Sequence, residues 1–248
     1  MHAAHRQNME SWDAIADDWF GSTALPTLGV CMPPETELEL FDRLEGARVL
    51  ELGCGSGHSL AYCAARGAAA LWGLDLSGRQ LENARRHLES CGLTARLFQS
   101  PMERNPGLPE GYFDYVYSVY AIGWSLDLAE TFRLAASYLK RGGAFIFSWD
   151  HPFMRCVAAE GERYVLDGGF FDNAPFSFEK NGKPVTLINY NTSDYINALA
   201  GAGFAVERMV EATDAETLSR EEAFSSRYYA AAKARLMPLS FAMKARKL

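Results

Sequence analysis

The stretch Glu51-Leu52-Gly53-Cys54-Gly55-Ser56-Gly57 combines an acid with three glycines at alternate positions. Such glycines let a backbone turn sharply and come close to a ligand. An apolar run precedes the stretch and a helical pattern follows it, so a helix N-terminus would offer free N–H groups to a carboxylate or phosphate. Asp75 ends the next apolar run, 18 residues after Gly57. A carboxylate there can accept hydrogen bonds from both hydroxyls of a ribose; taken singly, it can equally cap the helix that follows. A dinucleotide loop wants G-x-G-x-x-G. Counted from Gly53 the third glycine falls on His58, and counted from Gly55 it falls on Leu60. Glu51 would repel a pyrophosphate, yet it can orient an ammonium group. The pattern therefore favours a ligand with an amino-acid end and a ribose.

Asp150-His151-Pro152 closes a later apolar run. In an open α/β sheet, ligands bind outside the carboxyl ends of the strands. That makes His151 the first candidate for a general base, with Asp150 orienting it or touching substrate; Asp-His-Pro is also good turn chemistry. Cys54 has no base beside it and reads as a small turn residue. The histidines are scattered without ligand spacing, so no metal is expected. His2 and His5 read as a loose terminus, His87 as a solvated mid-helix residue and His58 as a spectator beside the glycine loop.

These groups need a frame. Short apolar runs at Arg48–Leu52, Ala69–Leu74, Thr94–Phe98, Phe113–Tyr120, Ala144–Trp149, Phe204–Val210 and Leu239–Lys244 read as strands. Helical patterns lie at Ser59–Arg66, Arg79–Ser90, Leu128–Leu139, Ser193–Ala200 and Ser219–Leu236. Strand and helix alternating in this way predict a parallel sheet with helices on both faces. Pro152–Lys183 is rich in Gly, Phe and Asp and shows no period, so it reads as irregular.

The 248 residues are 48% apolar and 22% charged, enough for a core that needs neither disulfides nor a structural metal. Net charge is −7, which argues against a nucleic-acid binder working through a broad basic face. The five cysteines form no C-x-x-C pair, and the N-terminus holds no apolar run; both point to reduced thiols in the cytoplasm. No apolar stretch is long enough to span a membrane.

In order along the chain, Val49–Gly57, Leu74-Asp75-Leu76-Ser77, Phe113–Ser118 and Leu139–Gly143 resemble motifs of the class I S-adenosylmethionine (SAM)-dependent methyltransferases, and Ser11–Trp19 resembles the N-terminal helix of their small-molecule branch. The resemblance implies a Rossmann-like, doubly wound, mostly parallel seven-stranded sheet with the last strand antiparallel. It implies one domain over 1–248, residues 1–46 capping the cofactor with a helix and residues 153–190 inserted as a substrate lid. That lid could equally be a dimer contact. SAM would be the cofactor and S-adenosylhomocysteine (SAH) the product.

Carried over by position, Glu51 would meet the methionine amino group, and Gly53, Cys54, Gly55 and Gly57 would line its path. Asp75 would hold the ribose and Leu76 would lie against the adenine. Pro101, Met102 and Glu103 would reach the adenine edge, in place of the family's usual Asp-Ala pair. Ser118 and Tyr120 would form the floor under the sulfur, with Trp12, Trp19 and Gln80 completing the cofactor site. Trp124, His151, Phe153, Tyr190, Tyr228 and Tyr229 would face the acceptor. The implied reaction moves a methyl group to an O, N or C nucleophile of a small aromatic or apolar acceptor, in specialised metabolism. Alternatives on the same fold are an RNA or protein methyltransferase and a cofactor-binding protein that transfers nothing. The expected partners are a small-molecule acceptor, no nucleic acid and no membrane, in a monomer or homodimer.

Overall fold

Residues that alternate along β1 (Arg48–Leu52) go to opposite sides of one sheet. Val49 joins a core with Leu60, Cys63, Leu81 and Tyr117, while Leu50 and Leu52 join another with Phe132, Phe147, Tyr195 and Leu199. The strand is buried from Val49 to Leu52, the mark of a parallel strand covered on both faces. The structure is a computed structural model and describes residues 3–248, so His2 lies outside the described residues.

After α1 (Ala3–Ile15) and the single turn α2 (Glu35–Leu38), β1 is followed by α3 (His58–Ala65), β2 (Ala70–Asp75), α4 (Gly78–Ser90), β3 (Arg96–Gln99), β4 (Phe113–Ser118), α5 (Leu128–Tyr138) and β5 (Leu139–Asp150). Two hairpins come next, β6 (Val157–Glu160) with β7 (Arg163–Leu166) and β8 (Pro175–Lys180) with β9 (Lys183–Ile188). The chain ends with α6 (Thr192–Gly201), β10 (Phe204–Val210), the short α7 (Ala215–Ser219) and α8 (Ala231–Ala234), and β11 (Ser240–Lys247). The main sheet has the order β10-β11-β5-β4-β1-β2-β3. Six strands run parallel, and β11 runs antiparallel to both β5 and β10. Strand order reverses between β1 and β4, which opens a crevice at their carboxyl ends.

Three expectations fail. Pro152–Lys183 is two antiparallel hairpins behind a 3-10 turn, not an irregular stretch. Ser219–Leu236 is not one helix: only Ala215–Ser219 and Ala231–Ala234 coil. The backbone between them is held instead by side-chain bonds to its carbonyls, Tyr164 OH to Ser225 O at 2.8 Å and Lys233 Nζ to Tyr228 O at 3.0 Å. Tertiary bonding overrides helix propensity here. The cap of α6 is Asn191, not Ser193, in a capping box with Asp194. Among the described residues, no helix is long and apolar enough to cross a membrane.

Candidate active site

The glycine loop is tied to the end of β2 by its own backbone. Gly53 and Cys54 N–H both donate to Leu74 O, at 2.7 and 3.0 Å. Asp75 then accepts from Gly55 N on one oxygen and from Ser77 N on the other, each at 2.8 Å. Burial pushes the Asp75 carboxyl up to about 6, against the pull of those two donors. Gly53 sits at φ +72°, and a Cβ on it would come within 2.4 Å of Ala121 Cβ and 2.9 Å of the Met102 methyl. Only glycine fits between those two side chains.

Around this loop lies a cavity of about 910 Å³ that continues to the β8–β9 hairpin. Its wall brings together Trp12, Trp19, Gly53, Cys54, Gly55, Asp75, Leu76, Gln80, Pro101, Met102, Glu103 and Tyr120 of the expected cofactor site. Trp124, Asp150, His151, Tyr190, Tyr228 and Tyr229 line the rest. Four expected residues are not in the wall. Glu51 is 2% exposed, sits behind the loop near the Tyr117 hydroxyl, and is driven toward its neutral form by burial. Gly57 serves packing, since a Cβ there would lie 3.2 Å from Ala84 Cβ on α4. Ser118 is fully buried and donates to Leu52 O at 2.8 Å. Phe153 points to the surface, 36% exposed.

The N-terminal segment closes one side. Asp13 on α1 accepts from Ser77 Oγ at 2.6 Å and from Arg79 N at 3.1 Å. Gly21 N donates to Ser56 Oγ at 2.9 Å, and Leu25 N to Ser59 Oγ at 3.1 Å. Asn8 exchanges two bonds with the Thr186 backbone on β9, each 2.7 Å. His5 is therefore no loose terminus: it lies on α1, lines the cavity and sits 3.3 Å from Glu103. Glu103 also accepts from Ser125 Oγ and Leu126 N, so its Oε1 is engaged with its own chain. Burial works to raise the Glu103 carboxyl, but His5 and the Leu126 N–H hold it below the ordinary carboxylate range. His87 lies within α4 and is half-exposed, but it is not free. Its ring stacks on His58 at 3.7 Å between centroids, with Phe20 edge-on to both, and burial lowers the pKa of each.

The opposite end is aromatic. Trp19, Trp12, Trp124, Trp149 and Tyr120 touch in succession at 5.1–5.8 Å between centroids. Tyr120 holds a left-handed backbone at φ +52°, unusual for a bulky residue and typical of constrained sites. It is fixed at both ends: its N–H donates to Ser148 Oγ at 3.2 Å and its hydroxyl to Asp150. Tyr229 donates to Asp150 as well, at 2.9 Å to either oxygen. Burial raises the Asp150 pKa, partly countered by those two hydroxyls. Asp150 does not orient His151. His151 Nε2 lies 2.7 Å from Glu211 Oε1, and its Nδ1 accepts from Phe153 N at 3.2 Å. With Nδ1 accepting, Nε2 carries the proton and donates to Glu211, so the ring's one lone pair is taken.

The cofactor end fits an adenosyl amino acid. Gln80 Oε1 and Trp19 Nε1 are buried in the cavity wall without a partner. A Cβ on Gly55 would meet nothing nearer than Gln80 Oε1 at 4.0 Å, so the loop leaves room for a ligand against its backbone. Asp75 provides acceptors for a ribose, and Leu76, Pro101 and Met102 an apolar slot.

Residues 49–143 match a family described as a methyltransferase domain. A ubiquinone biosynthesis O-methyltransferase from Sodalis glossinidius is 31% identical over 175 residues, covering 66% of this chain and 70% of that protein. An uncharacterized protein from Haemophilus influenzae is 32% identical over 189 residues, covering 71% and 74%. The crystal structure of a SAM-dependent methyltransferase from Mesorhizobium loti superposes with a TM-score of 0.70 at 27% identity, covering 86% of this chain and 96% of that one. The fold and the loop thus define a class I methyltransferase, and the chain belongs to that family. It is a SAM-dependent methyltransferase with SAM as its cofactor.

Sequence reasoning missed several wall residues, among them Ser56, Ser59, Trp149 and Lys180. One signal was available. Asn181-Gly182 after Lys180 is a two-residue hairpin turn, with both residues at positive φ, and it fixes the end of β8.

Proposed function

We propose that this enzyme methylates a hydroxyl oxygen on a small aromatic acceptor, with Asp150 as the base. The carrying observation is one continuous cavity that joins the Asp75 loop to an aromatic end where Asp150 is held by two tyrosine hydroxyls. Bound SAM supplies an electrophilic methyl on a positive sulfur. The chain's own residues position the acceptor and take its proton. The Trp124, Trp149 and Tyr120 rings give a flat acceptor faces to stack on. Asp150 Oδ2 accepts from Tyr229 alone, which leaves lone pairs for an acceptor hydroxyl. Burial has already raised the basicity of this carboxylate, which suits it to proton removal.

Gly53, Cys54, Gly55 and Asp75, which line the cavity, remain the proposed contacts to the amino-acid and ribose parts of SAM, with residues 1–46 as cap and 153–190 as lid. The O-methyltransferase name of the Sodalis relative supports oxygen as the attacked atom. Net charge −7 and five unpaired cysteines support a small-molecule acceptor, rather than nucleic acid or membrane, in the cytoplasm. The test is to incubate the pure protein with methyl-labelled SAM and a panel of phenols, catechols and amines, reading SAH. Turnover confined to hydroxylated rings supports the proposal. Turnover of amines alone, or tight SAM binding with no SAH across the panel, overturns it.

A further inference from the structure

We propose that Lys180 is an anion receptor in the acceptor site, so that the aromatic acceptor carries a carboxylate that pairs with its ammonium. This rests on the small-acceptor reading above. Lys180 ends β8 and is half-buried in the cavity wall. Its Nζ lies 4.3 Å from the ring centre of Trp19, 5.7 Å from Trp124 and 5.9 Å from Trp12. Three indole faces attract the charge but give its three N–H groups no lone pair.

The other cationic or basic side chains of the wall have polar partners among the described residues, although Arg155 Nε is buried without one. Arg155 donates to Phe170 O, Asn173 and Asn191; His151 is engaged by Glu211; His5 sits on Glu103; His58 meets Ser56 Oγ and stacks on His87. Lys180 Nζ forms no ion pair or hydrogen bond with any described residue. The carboxylate whose charge it feels is Asp150, already bound to Tyr120 and Tyr229. Burial pulls the Lys180 pKa down, as for an ammonium that has lost water without gaining an anion. Its place is fixed by the Asn181-Gly182 turn, whose Asn181 side chain donates to Asp18 at 3.2 Å. A carboxylate on an acceptor ring stacked at Trp124 would supply the missing acceptor and form a charge-assisted bond away from bulk water. A purely apolar acceptor would leave the ammonium unmatched.

The rival role is a latch, in which the cation–π contact only holds the hairpin on α1. The experiment uses the protein with SAH bound and follows tryptophan fluorescence, titrating 3,4-dihydroxybenzoate against its methyl ester. Trp12, Trp19 and Trp124 are the reporters. The expected result is roughly tenfold or greater preference for the acid, within the range of one charged hydrogen bond. Lys180→Met should bring that preference to within about twofold while leaving ester affinity in place, and Lys180→Arg should restore it. A wild type that prefers the ester, fails to discriminate or binds neither compound overturns the proposal. So does a Lys180→Met protein that weakens toward both alike, which is the latch. SAH calorimetry on each variant keeps the cofactor reading separate: loss of that heat is a failure of the loop, not of Lys180.

Discussion

At the glycine loop, the main-chain N–H groups of residues 53–55 bond to Leu74 O and the Asp75 carboxylate, which Ser77 N–H holds from the other side. At the acceptor end, the contacts join Trp12, Trp124, Asp150, Lys180 and Tyr229, drawn from five distant segments. The first end is backbone geometry, with main-chain N–H groups aimed at fixed acceptors. The second is side-chain geometry, with rings leaning on rings and one carboxylate held by two phenols. A site of the first kind tolerates little change in its own residues. A site of the second kind can change its ligand by exchanging side chains on an unchanged sheet.

The largest effect expected from breaking one end alone is at Asp150. Asp150→Asn keeps the shape and one acceptor oxygen but removes the base. We expect kcat to fall about 100-fold or more, the low end of what general-base catalysis contributes. SAM affinity and melting temperature should stay near wild type. In the wild type, kcat should rise with pH through a value above the ordinary carboxylate range, because burial raises the Asp150 pKa and the ionised form does the work. A pH–rate profile checks this; unchanged turnover in Asp150→Asn removes Asp150 as base.

Asp75→Asn attacks the other end. Losing one strong acceptor for the ribose should weaken SAM by about 1–3 kcal/mol, read by calorimetry. The pH dependence has opposite signs for binding and folding. Asp75 titrates near 6 in the fold against 3.8 ordinarily, so between those values the native state holds more protons than the unfolded state. Wild-type stability relative to Asp75→Asn should therefore fall as pH rises from about 4 to about 6. Wild-type SAM affinity should rise through about 6, since ribose hydroxyls donate to the ionised form, while that of the variant stays flat. Parallel signs would exclude Asp75 as the ribose contact.

Gly123→Ala sharpens the comparison from the aromatic side. A Cβ there would lie 1.9 Å from the Trp149 ring, so the indole must move. Overpacking of this kind costs about 1–3 kcal/mol of stability. Acceptor KM should rise with SAM affinity unchanged, measured by kinetics and calorimetry on the same preparation. Equal loss at both ends would show the two halves to be mechanically coupled.

The same contrast explains what the sequence made legible. Gly53, Gly55 and Asp75 were readable because their partners are backbone groups a few residues from a strand end, and strand ends are marked by apolar runs. β1, β2, β4 and β10 were found for that reason, within a residue or two. Glu51 and Ser118 were placed in the wall because spacing reveals strand position but not how far a side chain is recessed behind a loop. Tyr229 was read as helical because Ser219–Leu236 has helix-forming composition, whereas its hydroxyl bond to Asp150 is a tertiary fact no window of sequence contains. Lys180 was lost inside an interval judged irregular, although Asn181-Gly182 marks a hairpin turn.

The smallest expected effect is at His151, and it is the one that separates a motif from a mechanism. Asp-His at the end of β5 invites a catalytic pair, yet the two side chains turn apart: Asp150 to Tyr120 and Tyr229, His151 to Glu211 and its own 3-10 turn. Nδ1 caps that turn by accepting from Phe153 N, and Nε2 is committed to Glu211. A ring with both nitrogens engaged removes no proton without first giving up a bond. His151→Asn can keep the cap through its side-chain oxygen. We expect it to change kcat by less than about threefold and to melt within a few degrees of wild type, as loss of one partly exposed pair should. A loss comparable to that of Asp150→Asn would show that His151 leaves Glu211 during turnover and would return the base to the histidine.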